Sequence, residues 1–93
     1  MNAETFTDFQ SRKNAEGYDA VLERVWAPGQ VVGEHQHPFD ADAVVVKGEF
    51  WLTVGADTRH LVPGSTFNLA RNTPHSERYG SEGAVFWVAR RGA

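Results

Sequence analysis

Glycine and proline interrupt this chain at short and regular intervals, and no other feature constrains its fold as strongly. Nine glycines and four prolines punctuate 93 residues, and the runs between them are rich in Val, Phe, Trp, Thr and Leu. The run YDAVLERVWA ends at the turn pair Pro28–Gly29 and alternates Val21, Glu23 and Val25 with Leu22, Arg24 and Trp26. Closely spaced short strands of this kind are typical of an all-β sandwich or barrel.

The same punctuation predicts where individual strands end. The run Ala43–Lys47 reaches Gly48 and is followed at once by Glu49–Val54, so we expect a tight hairpin at this glycine. Residues 79–83 (YGSEG) are expected to form a loop before the last strand. Residues 4–14 are the one segment compatible with a helical turn, and extended structure fits them equally well.

Composition excludes several classes of function. The formal net charge of −3 and a pI near 5.7 provide no basic surface for nucleic acid, and we interpret Arg90–Arg91 as a solvated strand end. The chain has no cysteine, which excludes disulfides and thiolate ligands. Its start lacks the pattern of a signal peptide, and no apolar run approaches the roughly 20 residues of a membrane helix. We expect a cytoplasmic protein with no nucleic-acid or membrane partner.

Two of the four histidines lie one residue apart, in EHQHPF (34–39). If the chain is extended here, His35 and His37 point to the same face, because side chains in a strand repeat with a period of two. Such a pair can form half of a metal site, or it can lie in solvent beside the turn at Pro38. His75 is a further candidate ligand, whereas we assign His60 to an ordinary strand position.

The spacing of these histidines relative to glycine resembles the two motifs of the cupin superfamily. Six residues match the motif positions: Gly29, His35, His37, Gly48, Gly64 and His75. Ala70 and Asn72 stand where the second motif has a proline and a glycine. The resemblance covers residues 29–75 by motif. It implies an all-β fold, a double-stranded β-helix (jelly-roll) barrel, as a single domain over residues 1–93 with its core at about 19–89.

The chain departs from the cupin pattern at one ligand position. Ala41 stands where the first motif has a glutamate, and Tyr79 stands where the second motif can have an asparagine. Asp40 and Asp42 flank Ala41, but strict alternation turns both away from its face. A β-bulge would re-aim one of them, since an inserted residue switches the face.

The ligand set that the resemblance implies is therefore His35, His37 and His75. Asp40 is a candidate additional ligand if the strand is bulged. Glu77 shares a face with His75 and is either a pocket residue, as a base or substrate contact, or a solvated carboxylate at the strand edge. Imidazole ligands suit a divalent transition metal (Fe, Mn, Ni, Zn or Cu). Three protein ligands leave open positions, as in a catalytic metal site.

The resemblance implies a function based on this metal centre. We expect a small metal-binding protein that binds or transforms a small polar metabolite or organic anion, with metal-dependent oxygenase or isomerase chemistry as the enzymatic form. No catalytic residue beyond the metal ligands can be assigned. The alternative is a non-enzymatic module that binds or senses a small ligand. A purely structural barrel would leave the three positioned histidines unexplained.

Alternation also predicts which aromatic residues face inward. Phe50, Leu52 and Val54 are expected to line the barrel. Three tryptophans (Trp26, Trp51 and Trp87) would then lie outside, where a homodimer interface would cover them, since aromatic residues are enriched at interfaces. Burial in the core is the other interpretation.

Overall fold

The computed structural model describes residues 4–92, and within this range the chain forms one helix followed by six antiparallel strands. The elements are α1 (Phe6–Ala15), β1 (Ala20–Trp26), β2 (Val31–His35), β3 (Asp40–Val54), β4 (Asp57–Leu61), β5 (Thr66–Leu69) and β6 (His75–Arg91). This architecture confirms the all-β fold class, a double-stranded β-helix. No helix in residues 4–92 is long and apolar enough to cross a membrane.

The two longest strands, β3 and β6, form the spine of the barrel. They pair with each other, and each also carries shorter strands: β1 and β2 pair with β6, whereas β4 and β5 pair with β3. Strand β2 lies beside the first half of β6, and β1 lies beside the second half. The first half of β6 and the end of β2 therefore lie together at one region of the barrel.

The predicted hairpin at Lys47–Gly48 and the predicted loop at 79–83 are both wrong, because β3 and β6 run through these segments. The glycines bend the strands instead of ending them. Gly48 and Gly83 have φ values of 70° and 69°, and a methyl group on Gly48 would overlap the carbonyl oxygen of Gly83. Pairing of β3 with β6 also slips in register here. Glycine permits this bulged, close approach of two backbones.

Four aromatic side chains lie in the buried core of the barrel: Phe50, Phe67, Tyr79 and Phe86. Phe50 and Leu52 are buried and Val54 packs against the same cluster, which confirms the predicted inward face. Phe50 stacks on Tyr79 with ring centroids 4.9 Å apart and lies 5.6 Å from Phe86. Because aromatic side chains bury large areas, a few of them can fill a barrel built from so short a chain.

Most of the segment 4–14 is helical in the structure and belongs to α1. Thr5 caps it and forms a capping box with Asp8, which satisfies amide groups that have no partner within the helix. Phe6 and Phe9 pack against Trp87 on the outer face of the barrel. The helix therefore covers an apolar part of the sheet surface.

The three tryptophans occupy different environments, so the prediction that all lie outside is wrong for Trp26. Trp26 packs inside the barrel and stacks on Tyr79 at 5.0 Å. Trp87 is outside but is covered by α1, and its Nε1 donates a hydrogen bond to Glu23. Trp51 lies on the outer face and stacks on His60 at 4.6 Å. The chain itself therefore covers two of the three tryptophans.

Candidate metal centre

The end of β2 and the start of β6 bring three histidines together. His35 and His75 are direct cross-strand partners, and His37 follows β2 in the connection to β3. One ring nitrogen from each histidine lies within 4.8 Å of the other two. The strands thus juxtapose residues that are 40 positions apart in the sequence.

A backbone contact holds the connection that carries His37. The amide of Asn72 donates a hydrogen bond of 2.7 Å to the carbonyl of His37. Asn72 has a φ of 62°, in the left-handed region that asparagine adopts more readily than most residues other than glycine. Asn72 can therefore stand where the sequence motif has a glycine.

Two of the imidazoles are oriented by backbone carbonyls. Nδ1 of His35 lies 2.7 Å from the carbonyl oxygen of Gly33, and Nδ1 of His75 lies 2.9 Å from that of Thr73. A carbonyl only accepts hydrogen bonds, so each Nδ1 is the protonated nitrogen. In the neutral ring, Nε2 then carries the lone pair, which is the usual arrangement for a metal-ligating histidine.

Glu77 is the carboxylate at this cluster. Its Oε2 lies 3.3 Å from Nε2 of His35 and 3.5 Å from Nε2 of His75, and the residue is only 8% exposed. The Tyr79 hydroxyl donates a hydrogen bond of 2.6 Å to the other oxygen, Oε1. Burial, together with this hydrogen bond to Glu77, raises the pKa of Tyr79 and keeps the phenol protonated.

Residues 40–42 lie in the regular part of β3. The strand pairs with β6 without a register shift from Asp40 to Val45, so no bulge re-aims the two aspartates. Asp40 accepts hydrogen bonds from the backbone and side chain of Arg71, and these bonds lower the pKa of Asp40. Asp42 pairs with Lys13 of α1. Neither aspartate joins the histidine cluster.

A cavity of about 80 Å³ opens beside the cluster. His37, Glu77, Ala41, Arg24 and Arg90 are among the residues that line it. Ala41 is the cross-strand neighbour of Arg90, so its short side chain leaves space beside the guanidinium. Burial, followed by repulsion from the imidazoles of His35 and His75, lowers the pKa of His37 and favours its neutral form.

Sequence reasoning missed both arginines of this cavity. Arg90 was expected to be solvated, yet it is partly buried with its guanidinium 4.5 Å from the centre of the Phe39 ring. Its position on β6 points inward, and only its neighbour Arg91 is exposed. For Arg24 a signal was present, because Arg24 alternates in phase with the inward residues Leu22 and Trp26.

The set of potential ligand atoms fits a transition metal ion. Nε2 of His35, Nε2 of His75 and Oε2 of Glu77 are all acceptor atoms in the neutral-ring state, and each of the two nitrogens lies within 3.5 Å of the carboxylate oxygen. Acceptors held this close are stabilised by a cation among them. A proton can take this role, but a third imidazole nitrogen within 4.8 Å adds a donor that suits Zn, Fe, Cu or Ni.

Comparison with known proteins points to one family. The family model described as Cupin domain matches residues 22–89, and no curated protein matches the chain. The structure is similar to that of the DMSP lyases RdDddP and RnDddQII, at 30% identity and a TM-score of 0.72, over 78% of this chain and 38% of that one. The chain therefore spans well under half the length of that relative.

Two further solved structures are similar. KdgF from Halomonas sp. matches at 25% identity and a TM-score of 0.65, over 75% of this chain and 67% of that one. A protein of unknown function from Rhizobium leguminosarum bv. viciae 3841 matches at 19% identity and a TM-score of 0.74, over 100% of this chain and 98% of that one. At this low identity the last match shows the fold alone.

Proposed function

Since this chain belongs to the cupin domain family, we propose that it holds a divalent transition metal at His35, His37 and His75 and there binds or transforms a small polar metabolite. The observation that carries the proposal is the convergence of three imidazole nitrogens within 4.8 Å. Backbone carbonyls orient two of the rings so that Nε2 is the free ligand atom.

Glu77 supplies the carboxylate that the chain lacks at Ala41. Its Oε2 lies against two of the imidazoles, and Tyr79 holds its other oxygen in place. The glutamate of the first cupin motif is thus replaced from the second long strand, two residues after His75. Asp40 does not take this role in the proposal, because Arg71 binds its carboxylate.

The protein residues have separate tasks at such a centre. Three histidines and Glu77 hold the ion, Tyr79 orients Glu77, and the cavity beside His37 receives the ligand. A bound transition metal supplies Lewis acidity or a site for dioxygen. Aromatic and apolar side chains line most of the cavity, which limits access of water and strengthens electrostatic contacts inside.

Both enzymatic and non-enzymatic forms of this proposal remain consistent with the site. The similarity to DMSP lyases at 30% identity supports lyase chemistry for an enzymatic form. Fold alone does not assign a reaction, because function depends on the site residues. Assays of lyase, oxygenase and isomerase activity on the metal-loaded protein distinguish an enzyme from a ligand-binding module.

Metal analysis of single histidine variants tests the proposal. Untagged protein should contain about one transition metal ion per chain after loading and desalting. His35→Ala, His37→Ala and His75→Ala should each lose it while keeping the circular dichroism of a folded barrel. His60→Ala is the matched control, because His60 lies on the outer surface against Glu49. Unchanged metal content in all three cluster variants would refute the assignment.

A further inference from the structure

Two arginines share the cavity beside the proposed metal centre. Arg24 and Arg90 both line it, and among residues 4–92 neither forms an ion pair with a carboxylate within 4.0 Å. Burial, followed by repulsion from Arg24, lowers the pKa of Arg90. Buried or partly buried charges in proteins are usually paired, so two unpaired guanidiniums in one cavity require an explanation.

Unpartnered hydrogen-bond donors mark the same place. Within the described part of the chain, two buried side-chain polar atoms have no hydrogen-bond partner: Nε1 of Trp26 and Nε of Arg90. Both residues line this cavity. Native proteins leave few such groups unsatisfied, and those that remain commonly mark the position of a water or ligand. Both atoms are donors, and the side chains that carry them line the cavity.

Ring contacts orient the two guanidiniums without using their hydrogen-bond donors. The guanidinium carbon of Arg24 lies 4.9 Å from the centre of the Trp26 ring, and that of Arg90 lies 4.5 Å from the centre of the Phe39 ring. Stacking on an aromatic ring engages the face of a guanidinium and leaves its N–H edge free. That edge is the part that binds carboxylate in a bidentate manner.

We propose that Arg24 and Arg90 form the anion-binding part of the ligand site and that the ligand is a short-chain carboxylate. This inference rests on the proposed function, because the rest of the ligand would then face the histidine cluster across Ala41. The cavity volume of about 80 Å³ is well below the 150 Å³ that admits benzene. The part of the ligand inside the cavity is therefore small, and a planar carboxylate matches the N–H edge of a guanidinium.

Ligand titration of the metal-loaded protein tests the assignment. Propionate, malonate and inorganic phosphate are compared with propionamide, the neutral match of propionate, by calorimetry and by the NMR shift of the Trp26 indole N–H. The carboxylates should bind at least tenfold more tightly than propionamide and should shift that resonance. Tighter binding of phosphate than of either carboxylate would overturn the ligand class.

Variants locate the binding residues. Arg24→Gln and Arg90→Gln should each weaken carboxylate binding about tenfold or more and leave metal content unchanged. Arg91→Gln is the matched control, since Arg91 is the exposed neighbour on the same strand. If Arg90→Gln fails to fold, Arg24→Gln and the conservative Arg90→Lys carry the test. Wild-type carboxylate affinity in folded variants would refute the anion site.

Metal analysis of the same variants distinguishes a failure of the anion site from a failure of the proposed metal centre. Arginine variants that retain metal and lose carboxylate support the anion site. Histidine variants that lose metal and still bind carboxylate also support it, and would remove the metal from ligand recognition. A metal-loaded wild-type protein that binds no carboxylate would overturn the anion site and leave the metal centre intact.

Discussion

Glu77→Gln removes one negative charge from the histidine cluster while preserving the shape of the side chain. Oε2 of Glu77 lies 3.3 Å from Nε2 of His35 and 3.5 Å from Nε2 of His75. The two interpretations of this geometry are a metal ligand and a structural ion pair with protonated histidines. They make opposite predictions for the protein without metal, so a single substitution separates them.

The magnitudes follow from what glutamine can still do at this position. Its carbonyl oxygen accepts the bond from Tyr79, and its amide donates to the lone pair of His35. The free energy of unfolding without metal should therefore change by less than about 1 kcal/mol. Metal binding should weaken about 10–100-fold, or roughly 1.4–2.7 kcal/mol, because a neutral amide replaces an anionic ligand.

A structural ion pair would behave differently. Removing one partner of a buried pair leaves an uncompensated charge and costs about 3–5 kcal/mol. For a chain of this length, about 1 kcal/mol corresponds to roughly 4–8 °C in Tm, so the melting temperature in chelator would fall by more than about 10 °C.

Thermal unfolding with and without chelator, combined with metal titration, decides between these interpretations. Glu49→Gln is the control, because Glu49 contacts His60 at 2.9 Å on the exposed surface and should affect neither quantity. A large loss of metal-free stability with unchanged metal affinity would refute Glu77 as a ligand.

Four further predictions concern the same region and the outer face. The Ala41→Glu variant should bind metal on the order of tenfold more tightly than the Ala41→Gln variant, since glutamate adds a negative charge. It should also bind an added carboxylate ligand less well, because Arg90 is the cross-strand partner of residue 41. Equal metal affinities of the two variants in calorimetry would contradict the first expectation. Metal affinity should fall as the pH drops toward about 6, because ligand imidazoles must be neutral. The lowered pKa of His37 means that its folded form binds protons less readily than the unfolded chain. The stability that neutral His37 contributes without metal is thus fully present above about pH 6.5, the ordinary pKa of histidine, and is lost as the pH falls from there through the lowered pKa of folded His37. A flat profile from pH 7.5 to 5.5 in denaturant titrations would oppose this. We also predict a homodimer through the outer face that carries Trp51 and Val31, which is 69% exposed; Trp51→Glu should dissociate it in sedimentation experiments, whereas a wild-type monomer at tens of micromolar would argue against it.

The amino-acid sequence alone was sufficient for the fold class and for the grouping of the three histidines. Side-chain alternation has a period of two in any strand, so the inward positions of Phe50 and Leu52 could be predicted locally. The same rule grouped His35 with His37, although β2 ends at His35 and His37 lies in the connection that follows. Glycine spacing related His75 to the other two histidines through the family motif. The single-domain boundary and the homodimer remain predictions.

Only the tertiary structure decided which groups complete the site. Gly48 and Gly83 look like turn residues in the sequence, but they lie where the paired strands β3 and β6 bend and their backbones approach closely. Arg90 looks like a solvated strand end until pairing places it opposite Ala41. Glu77 could face a pocket or solvent until β2 and β6 come together. Side-chain alternation predicts which residues of one strand share a face, whereas the pairing register of strands distant in the sequence determines which residues that face contacts.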